Sequence, residues 1–341
     1  MPGGPNVWRD RDSPQPAQFE VDMNSPKTYS VFVKSITFEA NNVLAYELRP
    51  AEGIKLPPFG AGAHIDLFIE GAAPRSYSLL NDPREINRYV IAVAKAPNSR
   101  GGSKLIHEKL RAGDRLQISA PKNHFPLAEG AHRTTLIAGG IGITPLWSMA
   151  QRLNALSAPW DLFYFARDRE SAALLERIEQ SSGTGHLHLN LALDIEATIE
   201  RIQAIFAEDD GERHYYCCGP SGMLEAYKAA AAKVPSERVH YESFTPMQEA
   251  NTAGGYEVSL ARTGKILMIQ EGQTLLDALC EAGVEVMNSC REGICGACEV
   301  RVLEGIPDHR DSILSDAERE ANKTMFVCCS GSKSPNLVLD L

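Results

Sequence analysis

Four cysteines near the end of this 341-residue sequence have the spacing of an iron–sulfur site. They follow the pattern C-x4-C-x2-C, with the fourth after 29 intervening residues, and they are Cys290, Cys295, Cys298 and Cys328. This is the plant-type spacing for a 2Fe–2S cluster, in which four thiolates hold two irons. Gly293 and Gly296 lie inside the loop, where the missing Cβ lets backbone N–H groups turn toward the bridging sulfides. The sequence therefore predicts a 2Fe–2S cluster.

The cysteine pattern leaves two points open, namely the type of metal site and the identity of the fourth ligand. A structural zinc site usually has two C-x2-C pairs, and this loop has one, Cys295 and Cys298. Cys328 and Cys329 are adjacent, and the spacing favours Cys328 as the fourth ligand, with Cys329 as a small core residue. Cys280, upstream in a helix-like segment, is expected to be structural. Five of the eight cysteines lie between positions 290 and 329, which indicates metal binding rather than a disulfide scaffold.

Two short segments in the first third of the chain could hold a phosphate. The first combines an arginine with hydroxyl side chains, which are charge-assisted and neutral donors, in the run Arg75, Ser76, Tyr77 and Ser78. The second is a glycine turn that opens a helix-like stretch, a common anion site, and comprises Gly101, Gly102 and Ser103. Each segment alone is typical of an ordinary turn or strand. Together they favour a flavin phosphate.

Two further turns could bind a dinucleotide. GGIGITP, at 139–145, follows an apolar strand and precedes a helix, although it lacks the G-x-G-x-x-G fingerprint. CGP, at 218–220, ends a later strand of the same predicted sheet. Ligands bind at the carboxyl edge of such sheets, so the two turns together favour a nucleotide site. The chain has no H-E-x-x-H or G-x-S-x-G motif, and its nine histidines, His107 and His124 included, are interpreted as surface or core residues.

The pattern of apolar residues places these segments in three units. From about 29 to 119, apolar residues alternate with period 2 between Pro, Gly and Asn turns, which predicts a small antiparallel barrel. From 134 to 244, apolar strands alternate with helical stretches of about a dozen residues, which predicts a parallel sheet. A polar segment, TPMQEANTAGG, then separates a last unit that contains the cysteine loop.

Composition limits the functional classes. Charged residues make up 23% and hydrophobic residues 43%, which is typical of a globular chain with a full core. The formal net charge of −10 argues against a nucleic-acid partner, because phosphate binding leaves a basic surface. We expect no membrane segment and no signal peptide, and hence a cytoplasmic protein with a loose N-terminal tail. The last unit, from 256 to 341, carries fourteen acidic and eight basic residues, a net charge of −6.

The order of these motifs resembles the phthalate dioxygenase reductase family, which includes vanillate demethylase and carnitine monooxygenase reductases. The resemblance extends over 29–341. It implies a multi-domain fold: an antiparallel β-barrel for FMN, a ferredoxin-NADP-reductase-like α/β domain with a parallel sheet for NAD, and an α+β β-grasp ferredoxin domain. The implied domains are a tail at 1–28, the barrel at 29–128, the NAD domain at 129–245, a linker at 246–255 and the ferredoxin domain at 256–341.

The resemblance also implies cofactor contacts. Flavin contacts are expected from Arg75, Ser76, Tyr77 and Ser78, and phosphate contacts from Gly101, Gly102 and Ser103. Phe244 is expected to cover the flavin ring. The NADH groove is expected to include Gly140, Thr144, Pro145, Cys218, Gly219 and Pro220. The segment around Asp168, between Arg167 and Arg169, leaves NADH or NADPH open, and the resemblance favours NADH.

The implied function is electron transfer from NADH through FMN and the 2Fe–2S cluster to a Rieske-type oxygenase. The oxygenase would hydroxylate an aromatic ring or remove an O-methyl group, and no side chain of this chain needs to act as acid or base. The encounter is expected to be transient and steered by charge. The alternatives are the reductase of a carnitine-type monooxygenase, a stand-alone flavin diaphorase, and a redox sensor.

Overall fold

The computed structural model describes residues 28–71, 73–95, 101–181 and 183–341, which form three β-sheet units. Nearly all of the predicted tail therefore lies outside the described residues, and Thr28 already begins a strand. The predicted fold class, a barrel followed by a parallel-sheet domain and a ferredoxin domain, is confirmed. The exact domain boundaries stay predictions. Among the helices described, none has the length and apolar character needed to cross a bilayer.

The first unit is a six-stranded antiparallel barrel with the order β4-β3-β6-β1-β2-β5. An antiparallel bridge between Leu79 and Ile91 joins its two edges. Residues of alternate parity point inward, so Ile65 and Leu67 are fully buried in one apolar core. The elements are β1 (Thr28–Ala40), β2 (Val43–Pro50), β3 (His64–Phe68), β4 (Arg75–Ser78), β5 (Tyr89–Ala94), α1 (Gly102–Lys109) and β6 (Arg115–Ser119).

The second unit is a five-stranded parallel sheet with the order β11-β10-β7-β8-β9 and helices on its faces. Its central strands are buried on both faces, as expected for continuous apolar runs. One of its apolar clusters continues into the barrel through Val90 and Phe125, so the two units share a core. The elements are β7 (Arg133–Gly139), α2 (Ile143–Ala155), β8 (Trp160–Ala166), α3 (Leu175–Gln180), β9 (Gly185–Leu191), α4 (Ile195–Ala207), β10 (Arg213–Cys218), α5 (Ser221–Ala230) and β11 (Val239–Glu242).

The third unit is a mixed five-stranded sheet with the order β13-β12-β18-β14-β16, in which β12 and β18 are parallel. This is the β-grasp arrangement expected for a ferredoxin domain. Cys280, which was expected to be structural, is exposed: the helix buries Leu275 and Leu279 and leaves Cys280 on its outer face. The elements are β12 (Tyr256–Leu260), β13 (Ile266–Ile269), α6 (Leu275–Glu281), β14 (Glu299–Glu304), β15 (Pro307–Asp308), α7 (Asp316–Ala321), β16 (Thr324–Phe326), β17 (Gly331–Ser332) and β18 (Asn336–Leu339).

Candidate functional site

The four predicted cluster ligands meet in the third unit. Three come from the loop between α6 and β14, and the fourth follows β16, the neighbour of β14 in the sheet. All four thiols are buried, with exposed fractions of 5% or less. Gly293 and Gly296 adopt positive φ angles of 69° and 73°, a conformation that favours glycine. Arg291 adopts φ of 59° without that freedom, so the loop holds a strained turn directly after Cys290.

The four thiols form two contacting pairs, Cys290 with Cys295 and Cys298 with Cys328. The hydrogen bond from Cys290 lowers the pKa of Cys295 to about 7, and the bond from Cys298 lowers the pKa of Cys328 to about 4. The donor thiols have raised pKa values, first because of those hydrogen bonds and then because of burial. Two pairs of thiols, one pair for each iron, fit the donor set of a 2Fe–2S cluster.

Cys329 also lies close to this set, and a Cβ at Gly293 of the cluster loop would come within 2.5 Å of its Sγ. Its Sγ lies 3.7 Å from the carbonyl oxygen of Phe326 and 3.8 Å from Oγ of Ser330. It also contacts Cys328, so proximity alone does not separate the two cysteines. Within the described ranges, no three His, Cys, Asp or Glu side chains converge as ligands of a single metal ion. Cys328 stays the predicted fourth ligand because it is the residue paired with Cys298.

The two predicted flavin segments lie side by side. Gly102 is the first residue of α1, and a Cβ atom there would approach Cγ and Nε of Arg75 to 3.0 Å. The Arg75 side chain therefore passes directly over the helix N-terminus, where the helix dipole favours an anion. Gly101 precedes the helix with φ of 102°, and Ser103 is its second residue. Positions 96–100, just before this turn, lie outside the described residues.

The hydroxyl residues of β4 have different surroundings. Tyr77 packs against the barrel core, and burial raises the pKa of its phenol to about 12. Ser78 is buried, opposite His64 in the strand register. Ser76 Oγ donates to Oδ1 of Asp66 at 2.5 Å. The strand thus places Arg75 and Tyr77 on one face and directs the Ser76 hydroxyl to a carboxylate instead of the phosphate cradle.

The two predicted dinucleotide turns touch each other at the carboxyl edge of the parallel sheet. A Cβ at Gly142 would lie 2.1 Å from the carbonyl oxygen of Cys218, so glycine is required for this approach. A Cβ at Gly219 would likewise lie 2.7 Å from Sδ of Met223. Gly140 adopts φ of 53°, and α5 begins directly after Pro220. These close contacts bring the backbone of both turns to one site.

A cavity of about 1060 Å³ opens at this edge. Gly140 and Pro220 line it, together with Asp168 from beyond β8 and Lys95 from the barrel. Thr144 and Pro145 are buried in the first turn of α2, where Thr144 Oγ1 donates to the carbonyl oxygen of Ile141 at 3.0 Å. Their position supports the turn, and neither residue lines the cavity, whereas Gly139 and Gly140 do.

Glu242 is an additional candidate functional residue that the sequence motifs do not single out. It ends β11, two residues before Phe244, and burial raises the pKa of its carboxyl group to about 8. Its Oε2 has no hydrogen-bond partner, and it interacts electrostatically with Cys218. Phe244 is 36% exposed and lies two residues before the predicted linker. The signal available in the sequence was an acidic residue at the end of a predicted strand of the parallel sheet.

Comparisons with known proteins identify the domain families of this chain. The 2Fe-2S iron-sulfur cluster binding domain family matches residues 258–332, and the oxidoreductase NAD-binding domain family matches residues 136–229. The chain is 48% identical over 313 residues to phenoxybenzoate dioxygenase subunit beta of Ectopseudomonas oleovorans, which covers 92% of this chain and 97% of that protein. It is 45% identical over 322 residues to tetrachlorobenzoquinone reductase of Sphingobium chlorophenolicum, which covers 93% of this chain and 99% of that protein.

A solved structure gives the same architecture. Phthalate dioxygenase reductase, described as a modular structure for electron transfer from pyridine nucleotides to [2Fe–2S], matches with a TM-score of 0.68 and 34% identity, over 92% of this chain and 98% of that one. The expected cofactors FMN, NADH and a 2Fe–2S cluster are confirmed as the set of this family. The chain is an oxidoreductase and belongs to the phthalate dioxygenase reductase family of iron–sulfur flavoprotein reductases.

Proposed function

We propose that this chain is the reductase component of a two-component Rieske oxygenase system that hydroxylates an aromatic ring or removes an O-methyl group. The observation that carries the proposal is the cluster loop, whose paired thiols lie in the same chain as the flavin cradle and the nucleotide edge. A covalently attached ferredoxin unit suits the export of single electrons. The relative named as a dioxygenase subunit supports an oxygenase as the recipient.

The side chains have binding and orienting roles in this function. Arg75 and the N–H groups at Gly102 and Ser103 hold the flavin phosphate, and Tyr77 lies along the flavin ring. Ser78 contributes to the same site through its backbone, because its side chain lies on the opposite face of the strand from Tyr77. Phe244 covers the opposite side of the flavin ring. When bound, FMN and the cluster supply hydride acceptance and one-electron transfer. FMN is preferred over FAD because this cradle suits one phosphate, which chromatography of the heat-released flavin tests.

The nucleotide site is formed mainly by backbone. Gly140 and Gly219 allow the dinucleotide to approach both turns closely, and Pro220 fixes the start of α5. Cys218 stands beside the nicotinamide, and its burial raises the pKa of its thiol well above the usual value. Thr144 holds the turn through its bond to Ile141. This chain therefore positions NADH against the flavin without a side-chain acid or base at the reacting atoms.

The partner encounter is proposed to be transient and steered by charge. The ferredoxin unit has a net charge of −6, and Glu299 is exposed directly after the ligand Cys298. Such a surface suits a basic patch around a Rieske domain. A cytoplasmic location is proposed with it, because the chain uses NADH and its cysteines are free thiols.

A second candidate function is reduction of a quinone by the chain itself. The relative named tetrachlorobenzoquinone reductase, which matches almost the full length, favours it. This is a form of the stand-alone diaphorase alternative, since no oxygenase is needed. The reductase of a carnitine-type monooxygenase remains a third recipient class within the same mechanism.

The experiment combines the purified holoprotein with NADH and candidate acceptors. NADH oxidation coupled to product formation by a Rieske oxygenase, abolished in Cys328→Ser, supports the proposed function. The control is Cys329→Ser, which alters the neighbouring thiol. Rapid quinone reduction that survives loss of the cluster, without turnover by any Rieske oxygenase tested, would favour the second candidate.

A further inference from the structure

A buried carboxylate joins the barrel to the cluster loop. Asp66, on β3, has 2% of its surface exposed and accepts hydrogen bonds from three different segments. The donors are Ser76 Oγ at 2.5 Å, Lys122 Nζ at 2.8 Å and Ser289 Oγ at 3.1 Å. Its own backbone N–H donates to Ser119 Oγ at 2.9 Å. A carboxylate buried among several donors is held in one position.

These donors connect the two redox sites. Ser76 lies between Arg75 and Tyr77 on the flavin strand, while Ser289 immediately precedes the ligand Cys290. Ser289 and Asp66 are 223 residues apart in sequence, so their bond exists only when the ferredoxin unit is seated on the barrel. Burial opposes ionisation of Asp66, but Lys122, the Ser76 hydroxyl and His64 outweigh it and lower the pKa of this carboxyl group.

A second contact seats the same loop. A Cβ at Gly296, between the ligands Cys295 and Cys298, would lie 2.1 Å from Nε2 of His124 on the barrel side. The His124 ring lies 5.7 Å from that of His64, which is buried next to Asp66 on β3. His124 is therefore part of the interface, a more specific place than the surface or core position expected from sequence. The loop thus contacts the barrel both through a hydrogen bond at Ser289 and through close packing at Gly296, and His64 also interacts with the backbone of Cys295.

We propose that Asp66 is a positioning residue that, through Ser289, fixes the cluster loop against the flavin strand for electron transfer between the two sites. The proposal rests on the proposed function of the chain but concerns only transfer within it. NADH supplies the electrons, and each one-electron step oxidises the flavin site and reduces the cluster site by one. Loss of a hydrogen bond to a charged acceptor disfavours the arrangement that it holds by on the order of tenfold or more. The bond that seats the cluster loop on the barrel therefore affects electron transfer to the cluster without affecting flavin reduction by NADH.

The test compares Ser289→Ala, which removes only the bond between the units, with the wild-type holoprotein. Asp340→Asn is the matched control, because Asp340 pairs with Arg262 inside the ferredoxin unit. Rapid mixing with NADH follows flavin and cluster absorbance separately. We expect flavin reduction within about twofold of wild type and cluster reduction slowed by about tenfold or more, an effect expected from losing a bond to a charged acceptor. Asp340→Asn should leave both rates unchanged.

A second measurement does not depend on turnover. Hydrogen–deuterium exchange of residues 286–298 should be faster in Ser289→Ala than in wild type, while the cluster's visible spectrum stays the same. Asp66→Asn should show the same pattern more strongly if it folds. Unchanged cluster reduction in Ser289→Ala would overturn the proposal, as would equal slowing of both steps. No oxygenase is present, so failure here is distinct from failure of the proposed partner.

Discussion

At the scale of single residues, the fourth cluster ligand can be tested directly. Cys328 is paired with Cys298, whereas the Cys329 thiol lies near the carbonyl oxygen of Phe326. We expect Cys328→Ser to abolish or greatly weaken the visible absorbance and EPR signal of the 2Fe–2S cluster, because an iron would lose a thiolate. Cys329→Ser should leave both signals nearly intact. Loss of the signals in Cys329→Ser alone would show that Cys329, not Cys328, is the fourth ligand.

Glu242 gives a prediction about pH. Burial raises its carboxyl pKa from 4.5 to about 8, so between these values the folded chain keeps a proton that the unfolded chain releases. The stability contribution is therefore complete below about pH 4.5, falls as the pH rises, and is lost above about pH 8. Glu242→Gln removes this ionisation and should stabilise the protein at pH 8 by on the order of a few kcal/mol, with little effect at pH 5.

Thermal unfolding at pH 5 and pH 8 measures this effect. The matched control is Glu237→Gln, since Glu237 is exposed in the turn before β11. A gain in melting temperature at pH 8 that is absent at pH 5, and absent in the control, is the expected outcome. Equal melting temperatures of wild type and Glu242→Gln at pH 8 would contradict a neutral buried carboxyl group.

Some functional residues could be identified from the sequence and others could not. The difference is whether their partners are close in sequence or distant. The cluster cysteines are readable because their ligand spacing is local and chemically specific. Glu242 and Asp66 are not, because their environments come from contacts between distant segments, such as Asp66 with Ser289. Ser76 was expected to contact the flavin, but its hydroxyl bonds to Asp66. Strand alternation decides that direction, and it requires knowledge of the inner face.

At the scale of elements, the turn between β8 and α3 bears on the choice of nicotinamide. Arg169 pairs with Glu179 of α3 at 2.7 Å, while Asp168 and Arg167 line the cavity. A 2′-phosphate would meet the Asp168 carboxylate, and one of the two nearby arginines is already neutralised. Glu179→Ala frees Arg169, and we expect a several-fold gain in kcat/KM for NADPH with little change for NADH.

Glu176→Ala is the control for that change, because Glu176 is exposed on the same helix and Arg169 pairs instead with Glu179. Initial rates of ferricyanide reduction with each nucleotide provide the measurement. A Glu179→Ala enzyme with an unchanged preference would show that the arginine is not a determinant. A wild-type enzyme more efficient with NADPH would contradict the preference for NADH itself.

The elements were predictable to different degrees. The five parallel strands followed from apolar runs separated by helical stretches, and the structure has them as β7 to β11 in the expected sheet. The exposed face of α6 was harder to predict from sequence, since a cysteine such as Cys280 is compatible with either face of a short helix. The meeting of α1 with β4 depends on barrel closure, including the bridge between Leu79 and Ile91. Local sequence patterns predict whether a strand belongs to a parallel or an antiparallel sheet, whereas barrel closure depends on tertiary contacts.

At the scale of the whole molecule, the flavin, nucleotide and cluster sites lie on three successive units of the chain. These three units contact each other. The barrel shares a core with the parallel-sheet unit and touches the cluster loop through Asp66 and Gly296. Electrons therefore enter at the nucleotide edge and leave from the acidic ferredoxin unit. This separation makes the exit step sensitive to conditions that leave the entry step unaffected.

The charge of the ferredoxin unit predicts how the exit step depends on salt. Raising salt from about 0.05 to 0.5 M shortens the Debye length from more than 10 Å to a few ångströms. We expect turnover coupled to the oxygenase to fall, because attraction between the acidic unit, with its net charge of −6, and a basic partner is screened. Reduction of ferricyanide, a small acceptor, should not fall in parallel.

A pair of variants separates local from overall charge in the same assay. Glu299→Gln and Glu271→Gln both remove one exposed negative charge, but only Glu299 follows a cluster ligand. Glu299→Gln should raise the KM for the oxygenase and weaken the salt dependence, since we propose that the partner approaches the ferredoxin unit near the cluster loop. Glu271→Gln should have little effect on either. Equal effects of both variants would indicate steering by total charge, and salt-independent turnover would mean that apolar contact brings the proteins together.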